Sequence, residues 1–188
     1  MRISGGEAKG IPLRTPKGGR LRPASETGRQ RLFSSIGHLI SGACFLDLFA
    51  GTGSYGLEAA SRGASRGTFV EKDGRTAQCL RDNLANVCKS AKIDCADFAV
   101  VEGDALRARV SGSGPFDLIF ADPPYSFLES IAPKLFARLL EDGVAKKETL
   151  VILELPGERH LEPQGWVLER RLGKGRKGAP DHALFRMA

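Results

Sequence analysis

The stretch from Cys44 to Gly63, C-F-L-D-L-F-A-G-T-G-S-Y-G-L-E-A-A-S-R-G, limits what this chain can become more than any other. An apolar run too short for a helix meets three spaced glycines, Gly51, Gly53 and Gly56, and then a run of good helix formers ending at Gly63. That reads as a buried strand, a tight turn and a short helix with a glycine stop. The same rhythm repeats downstream. Strand patterns at 67–71, 98–102, 116–121 and 149–155 alternate with helical ones at 74–90 and 127–140, Pro133 falling inside the latter. An amphipathic helix with Leu32, Phe33, Ile36, Leu39 and Ile40 on one face precedes the series, with Ser25 as its expected cap. Two strands at 166–171 and 183–187 close it. Alternation of this kind predicts an α/β fold with a mostly parallel sheet and helices on both faces. At 188 residues the chain suits one domain, 25–188, preceded by a glycine- and proline-rich basic arm, 1–24, with short strands or a hairpin at 1–4 and 11–14.

Ligands of such sheets lie beyond the carboxyl ends of the strands. Four motif-bearing turns should therefore meet at one edge. Gly51, Gly53 and Gly56 match the spacing of a dinucleotide fingerprint, yet Asp47 just before the turn argues against a pyrophosphate, which a carboxylate would repel. An ammonium and a sulfonium suit it better, and S-adenosylmethionine (SAM) carries both. Glu71 ends the next strand and can accept from both ribose hydroxyls. Asp104 follows the third strand, placed for the exocyclic amine of adenine, with the Ala105 N–H in reach of a ring nitrogen. Phe49 and Lys72, beside these acids, complete the expected cofactor set.

The turn after the fourth strand, Asp122-Pro123-Pro124-Tyr125, carries the sharpest chemistry. Two prolines stiffen it, so the Asp122 carboxylate and the Pro123 carbonyl can face one amine together. An aromatic amine is a weak nucleophile because its lone pair is delocalised into the ring. Two acceptors on its hydrogens favour a pyramidal nitrogen and free that lone pair for attack on a methyl sulfonium. Tyr125 offers a ring for stacking on a planar base. Asp122, Pro123 and Tyr125 are thus the expected catalytic residues, and Asp122 also borders the cofactor.

Charge points to the partner. Residues 1–31 hold eight bases against two acids and residues 159–188 seven against three, while the middle is net acidic. Basic ends on a mildly acidic body suit a polyanion. The expected RNA contacts are Arg2, Lys9, Arg22 and Arg29 near the start and Lys174, Arg176 and Lys177 in the turn G-K-G-R-K-G. The four cysteines, Cys44, Cys79, Cys88 and Cys95, show no metal-like spacing, and reduced structural thiols and no bound metal are expected. The start lacks the apolar core of a secretory signal, and no apolar run is long enough to span a bilayer, so a cytoplasmic protein without membrane contact is expected.

Taken together, D-L-F-A-G-T-G at 47–53, V-E-K-D at 70–73, G-D-A at 103–105 and D-P-P-Y at 122–125 resemble the class I SAM-dependent methyltransferases that modify exocyclic amines. The start sharpens this: M-R-I-S-G-G-E-A-K-G, L-R-T-P, Arg22-Pro23, Arg29 and Leu32-Phe33 resemble the RsmD-type bacterial methyltransferases of 16S ribosomal RNA. The resemblance implies a Rossmann-like seven-stranded sheet with its last strand antiparallel, SAM as methyl donor, and the N2 amine of a guanine in the small ribosomal subunit or an assembly intermediate as acceptor, with the protein acting as a monomer. The sequence departs from the family pattern at Ala24–Gln30 and at Lys177-Gly178-Ala179, both in segments expected to face RNA. D-P-P-Y also suits DNA adenine-N6 or cytosine-N4 amines, although no separate target-recognition domain is visible. A non-catalytic RNA-binding assembly factor is the remaining alternative.

Overall fold

Burial alternates in sense along each central strand, so one sheet serves two cores. A computed structural model describes residues 1–16, 26–110 and 114–188. Its elements run α1 (Glu26–Ile36), β1 (Cys44–Leu48), α2 (Gly56–Ser61), β2 (Arg66–Glu71), α3 (Gly74–Ala91), β3 (Phe98–Glu102), β4 (Phe116–Ala121), α4 (Leu128–Glu141), β5 (Ala145–Pro156), β6 (Trp166–Leu172) and β7 (Pro180–Met187). Phe45, Phe69, Phe120, Ile152 and Leu184 face α1, α2 and α3. Leu46, Val70, Ile119, Val151 and Phe185 face α4 and Trp166. Both faces of every central strand are therefore covered, which is why β1 and β4 read as near-continuous apolar runs.

The strand order is β3-β2-β1-β4-β5-β7-β6. β1 to β5 pair in parallel, and β7 runs antiparallel between β5 and β6. The sheet is mixed, as the antiparallel last strand of the resemblance implied. The order reverses between β1 and β4, and the crevice at such a reversal is where open α/β sheets hold ligands. Because β7 runs backwards, its first residues lie beside the end of β5, with Leu155 opposite Asp181. The basic turn joining β6 to β7 therefore projects from the same sheet edge as that crevice.

The first residues form a hairpin, bridged at Arg2 and Pro12 and held by Ile3 N–H to Ile11 carbonyl at 3.0 Å. It is not a free arm. Ile3, Ala8 and Leu13 are buried in the α1–α3 core. Ser4 binds Glu58, the Ala8 N–H donates to Ser61 Oγ at 2.9 Å, and the Arg14 N–H donates to Asn83 Oδ1 at 2.9 Å. The expected cap Ser25 lies outside the described residues. Pro133 does not break α4: it sits in the second turn on the exposed side, where its ring meets solvent.

Cys88 and Cys95 stand as a disulfide pair with Cα atoms 5.7 Å apart. This corrects the expectation of four reduced thiols, since the turn after α3 folds Cys95 back against that helix. Cys44, which is buried, and Cys79 are not part of a disulfide. No helix among the described residues is long and apolar enough to cross a membrane.

Gly53 shows how tightly the turn after β1 is packed. Its φ is +90°, and a Cβ there would lie 2.4 Å from Leu80 Cδ1 and 2.7 Å from Leu57 Cδ1. We expect Gly53→Ala to cost about 1–3 kcal/mol through overpacking and the left-handed backbone. Urea denaturation measures it; an unchanged midpoint would show that the helices part without cost.

Candidate active site

A cleft of about 640 Å³ opens where the strand order reverses. Its wall brings together Phe49, Gly51, Glu71, Lys72, Asp104, Ala105, Asp122, Pro123 and Tyr125, all anticipated from sequence. They come from the carboxyl ends of four strands, β1, β2, β3 and β4, and from the turns that follow them.

Gly51 and Glu71 form one unit. The Gly51 N–H donates to Glu71 Oε2 at 2.8 Å, and the Asp73 N–H donates to Oε1 at 2.8 Å. Each carboxylate oxygen keeps a further lone pair, enough to accept from a vicinal diol. Gly51 has φ +56° and no side chain crowding the space a Cβ would enter, so its form is set by the turn and its face is open to a ligand. Phe49 holds φ +59°, costly for an aromatic residue and of a kind that clusters at functional sites.

Asp104 is oriented by the Leu106 N–H, which donates to Oδ1 at 2.9 Å, and Oδ2 pairs with Lys72 Nζ at 3.3 Å. These contacts hold its carboxyl below the usual range, the backbone hydrogen bond from Leu106 foremost. Lys72 is largely exposed, so this pair contributes little to stability and serves to aim the carboxylate. Asp122 continues from β4, its N–H 3.5 Å from the Leu48 carbonyl, which draws the β1 and β4 turns together.

Two expected cofactor residues lie elsewhere. Asp47 is 1 % exposed and off the cleft wall. Strand alternation sends it with Phe45 toward α2, where Oδ2 accepts from the Gly56 N–H at 2.8 Å. It anchors the glycine turn from beneath; the cation-binding role inferred for it is corrected. Gly53 likewise packs inward against α3. Burial pushes the Asp47 carboxyl up to about 8, against an ordinary 3.8. Between those values the folded chain keeps a proton that the unfolded chain has released, so stability falls as pH rises through the window. Asp47→Asn, which cannot ionise, should therefore lose less stability than the wild type between pH 5 and 8.5. Urea melts across that range check it, and parallel curves for the two proteins would refute it.

Arg29 also departs from expectation. It is 0 % exposed, its Nε lying 3.3 Å from the equally buried Glu58 Oε2 and its Nη2 donating to the Arg2 carbonyl. A guanidinium sealed between α1, α2 and the hairpin does not reach a phosphate. Arg22 lies outside the described residues. Arg2, Lys9, Lys174, Arg176 and Lys177 are exposed. The buried Asp181 accepts from the Lys174 and Gly175 N–H groups, each at 3.1 Å, and from Arg171 Nε at 3.1 Å, fixing the backbone of the turn that presents the last three.

Several residues of the cleft escaped the sequence reading: Met1, Thr15, Tyr55, Leu106, Phe127 and Glu154. Phe127 is 60 % exposed at the mouth, two positions past Tyr125. Glu154 had a visible signal. It is an acid near the end of an apolar strand, V-I-L-E-L, the position that drew attention to Asp47 and Glu71.

The family model described as conserved hypothetical protein 95 matches residues 1–178. Ribosomal RNA small subunit methyltransferase D of Escherichia coli K12 is 33% identical over 172 residues, covering 90% of this chain and 83% of that protein. Its Haemophilus influenzae counterpart is 31% identical over 170 residues, covering 89% and 86%. The solved structure of E. coli yhhF superposes with a TM-score of 0.82 at 30% identity, covering 100% of this chain and 98% of that one. An RNA methyltransferase from Salinibacter ruber, solved with S-adenosyl-L-homocysteine, shares the fold at TM-score 0.62 and 18% identity, over 88% and 93%. With nearly its whole length matched by the family model and by relatives above 30% identity, the chain belongs to the conserved hypothetical protein 95 family, the RsmD-type methyltransferases.

Proposed function

We propose that this protein transfers a methyl group from SAM to the exocyclic N2 amine of a guanine in small-subunit ribosomal RNA. The observation that carries the reading is the convergence of Glu71, Asp104 and Asp122–Tyr125 on one cleft at the strand-order reversal. Glu71, Gly51, Asp104, Ala105 and Phe49 would hold the cofactor. When bound, its sulfonium supplies an electrophilic methyl group.

The chain's own work is on the acceptor. Asp122 and the Pro123 carbonyl accept the two amine hydrogens, which holds the nitrogen pyramidal with its lone pair aimed into the cleft. Tyr125 stacks on the base and excludes water from that face. Holding both reactants at attack distance supplies most of the acceleration. The product ammonium is strongly acidic, so its proton leaves late, to Asp122 or to water. The target base must leave its stack, which costs a few kcal/mol and least in a loop. The N-terminal hairpin, packed on the α1–α3 core, is the RNA-facing edge of the catalytic domain. With Arg2 and Lys9 on the hairpin and Lys174, Arg176 and Lys177 on the β6–β7 turn, the protein grips the RNA backbone as a monomer in the cytoplasm.

The deciding experiment offers tritiated SAM with duplex DNA, free ribosomal RNA and small-subunit particles from cells lacking the enzyme, followed by nucleoside analysis. N2-methylguanosine in the ribosomal RNA is expected. Label in N6-methyladenine or N4-methylcytosine of the DNA, or no N2-methylguanosine, would overturn the reading.

A further inference from the structure

Glu154 is 6 % exposed near the end of β5, and both of its oxygens are taken by tyrosines. Oε1 accepts from the Tyr125 hydroxyl at 2.8 Å, and Oε2 accepts from the Tyr55 hydroxyl. Tyr55 itself is buried, stacks on Phe120 with ring centres 5.8 Å apart at 13°, and has its hydroxyl 2.8 Å from His182 Nε2. A hydroxyl has one proton. Tyr55 gives it to the carboxylate, so His182 must carry its proton on Nε2 and donate it to the Tyr55 oxygen. Burial lowers the His182 pKa, which favours the neutral imidazole that this role uses. The chain of contacts runs from His182 on β7 through Tyr55, behind the glycine turn, to Glu154, and ends at Tyr125 on the acceptor side.

We propose that Glu154 is a positioning residue that fixes the Tyr125 ring as the wall of the acceptor-base pocket. This rests on the reading of Tyr125 as the stacking platform for the target base. The argument is one of constraint. Tyr125 sits just past a proline turn, on a 3-10 turn at Tyr125–Phe127 at the cleft mouth, with its hydroxyl aimed inward at the carboxylate. A tyrosine hydroxyl pinned at its far end by an acceptor fixes the long axis of the ring, and conjugation of the hydroxyl with the ring favours the plane that contains the acceptor. Glu154 can do this because Tyr55 and His182 hold it from the other side. The carboxylate has no slack to follow Tyr125 outward. Stacking then begins on a surface already in place, and its ordering cost is removed before the base arrives.

The test compares Glu154→Ala, Tyr125→Phe, their combination and Glu154→Gln. It measures kcat and KM for small-subunit particles, and the Kd for S-adenosylhomocysteine by calorimetry. Glu154→Ala and Tyr125→Phe should each lower kcat/KM for the acceptor about tenfold, and the double variant no further than either alone. Cofactor affinity should stay within about twofold, because Glu71, Gly51 and Asp104 are untouched. Glu154→Gln keeps an acceptor oxygen and should recover to within about threefold of wild type. Tyr125→Phe removes only the hydroxyl, so it reads this contact even if Glu154→Ala fails to fold. Normal acceptor kinetics in Tyr125→Phe would overturn the proposal. So would a double variant that loses the product of the two single losses, or cofactor affinity falling in step with activity. If the wild type methylates no ribosomal guanine, the functional reading fails and takes this proposal with it. An active wild type with uncoupled variants sinks the positioning role alone.

Discussion

Asp122→Ala should lower the rate of methyl transfer by about 10²–10⁴-fold, the range in which a positioned proton-accepting side chain contributes. That equals about 3–5 kcal/mol of transition-state stabilisation. The loss should fall on kcat. Binding of SAH should stay within about twofold, since most of the contacts that would hold it come from β1, β2 and β3 and Asp122 only borders it. Asp122→Asn tests the same idea with less damage. It keeps an acceptor oxygen but loses the charge, and bonds to an ionised acceptor are roughly twice as strong as neutral ones, so an intermediate rate is expected. Single-turnover assays with the variant saturated in SAM separate the two quantities. The account of Asp122 is wrong if SAH affinity collapses while turnover per bound cofactor stays normal.

Glu58→Ala should cost about 3–5 kcal/mol of folding free energy, the usual penalty for stranding one member of a buried ion pair. Glu58 lies on α2 with no exposed surface, and four groups converge on it. The Ser4 N–H donates at 2.8 Å, the Ser4 hydroxyl at 2.7 Å, Arg62 Nε at 2.8 Å, and Arg29 Nε lies 3.3 Å away. Removing the carboxylate leaves the Arg29 charge in the core and releases the hairpin from α2. For a chain of this size the thermal midpoint should drop by roughly 10 °C or more. Adding Arg29→Met, apolar and of similar reach, removes the stranded charge and should recover much of the loss. A Glu58→Ala cost under about 1 kcal/mol would mean that the guanidinium is compensated from elsewhere. The same pair explains why Arg29 misled as a candidate phosphate ligand. Its sequence neighbours are basic and polar, and nothing local reveals that a glutamate 29 positions later closes over it.

The strands and helices were legible because their periodicity is local. β1 to β4 and α3 fall within two residues of the pattern read from the chain, and the closing strands only lengthen. The turns on the cleft wall were legible for a related reason: a parallel sheet puts every strand end on one edge, so Glu71, Asp104 and Asp122 could be placed together without knowing any distance. How far a strand-end acid reaches toward the sheet edge could not be read. Asp47 and Glu71 lie on the same face, but Asp47 pairs with Phe69, two residues short of Glu71, so it sits beneath the glycine loop while Glu71 reaches the cleft. Glu154 is the same ambiguity in reverse. The Tyr55–Glu154 contact spans 99 positions, and no local pattern announces a bond of that range. The hairpin was read as an arm because glycines and bases dominate it, while its three anchors, Ile3, Ala8 and Leu13, are too sparse to show a period.

The reversal of strand order between β1 and β4 also sets how this protein must be assembled. The Cys44–Asp117 contact across that seam joins groups 73 positions apart, and the tyrosine-to-Glu154 contact joins groups 99 apart. Closing such loops costs entropy before any contact is gained, so folding here is governed by long-range pairing and belongs to the slower, high-contact-order class. No fragment ending before β5 contains a finished cleft. A ligand that fits the cleft recognises only the completed sheet, and its binding energy is returned to the whole domain, not to one part of it.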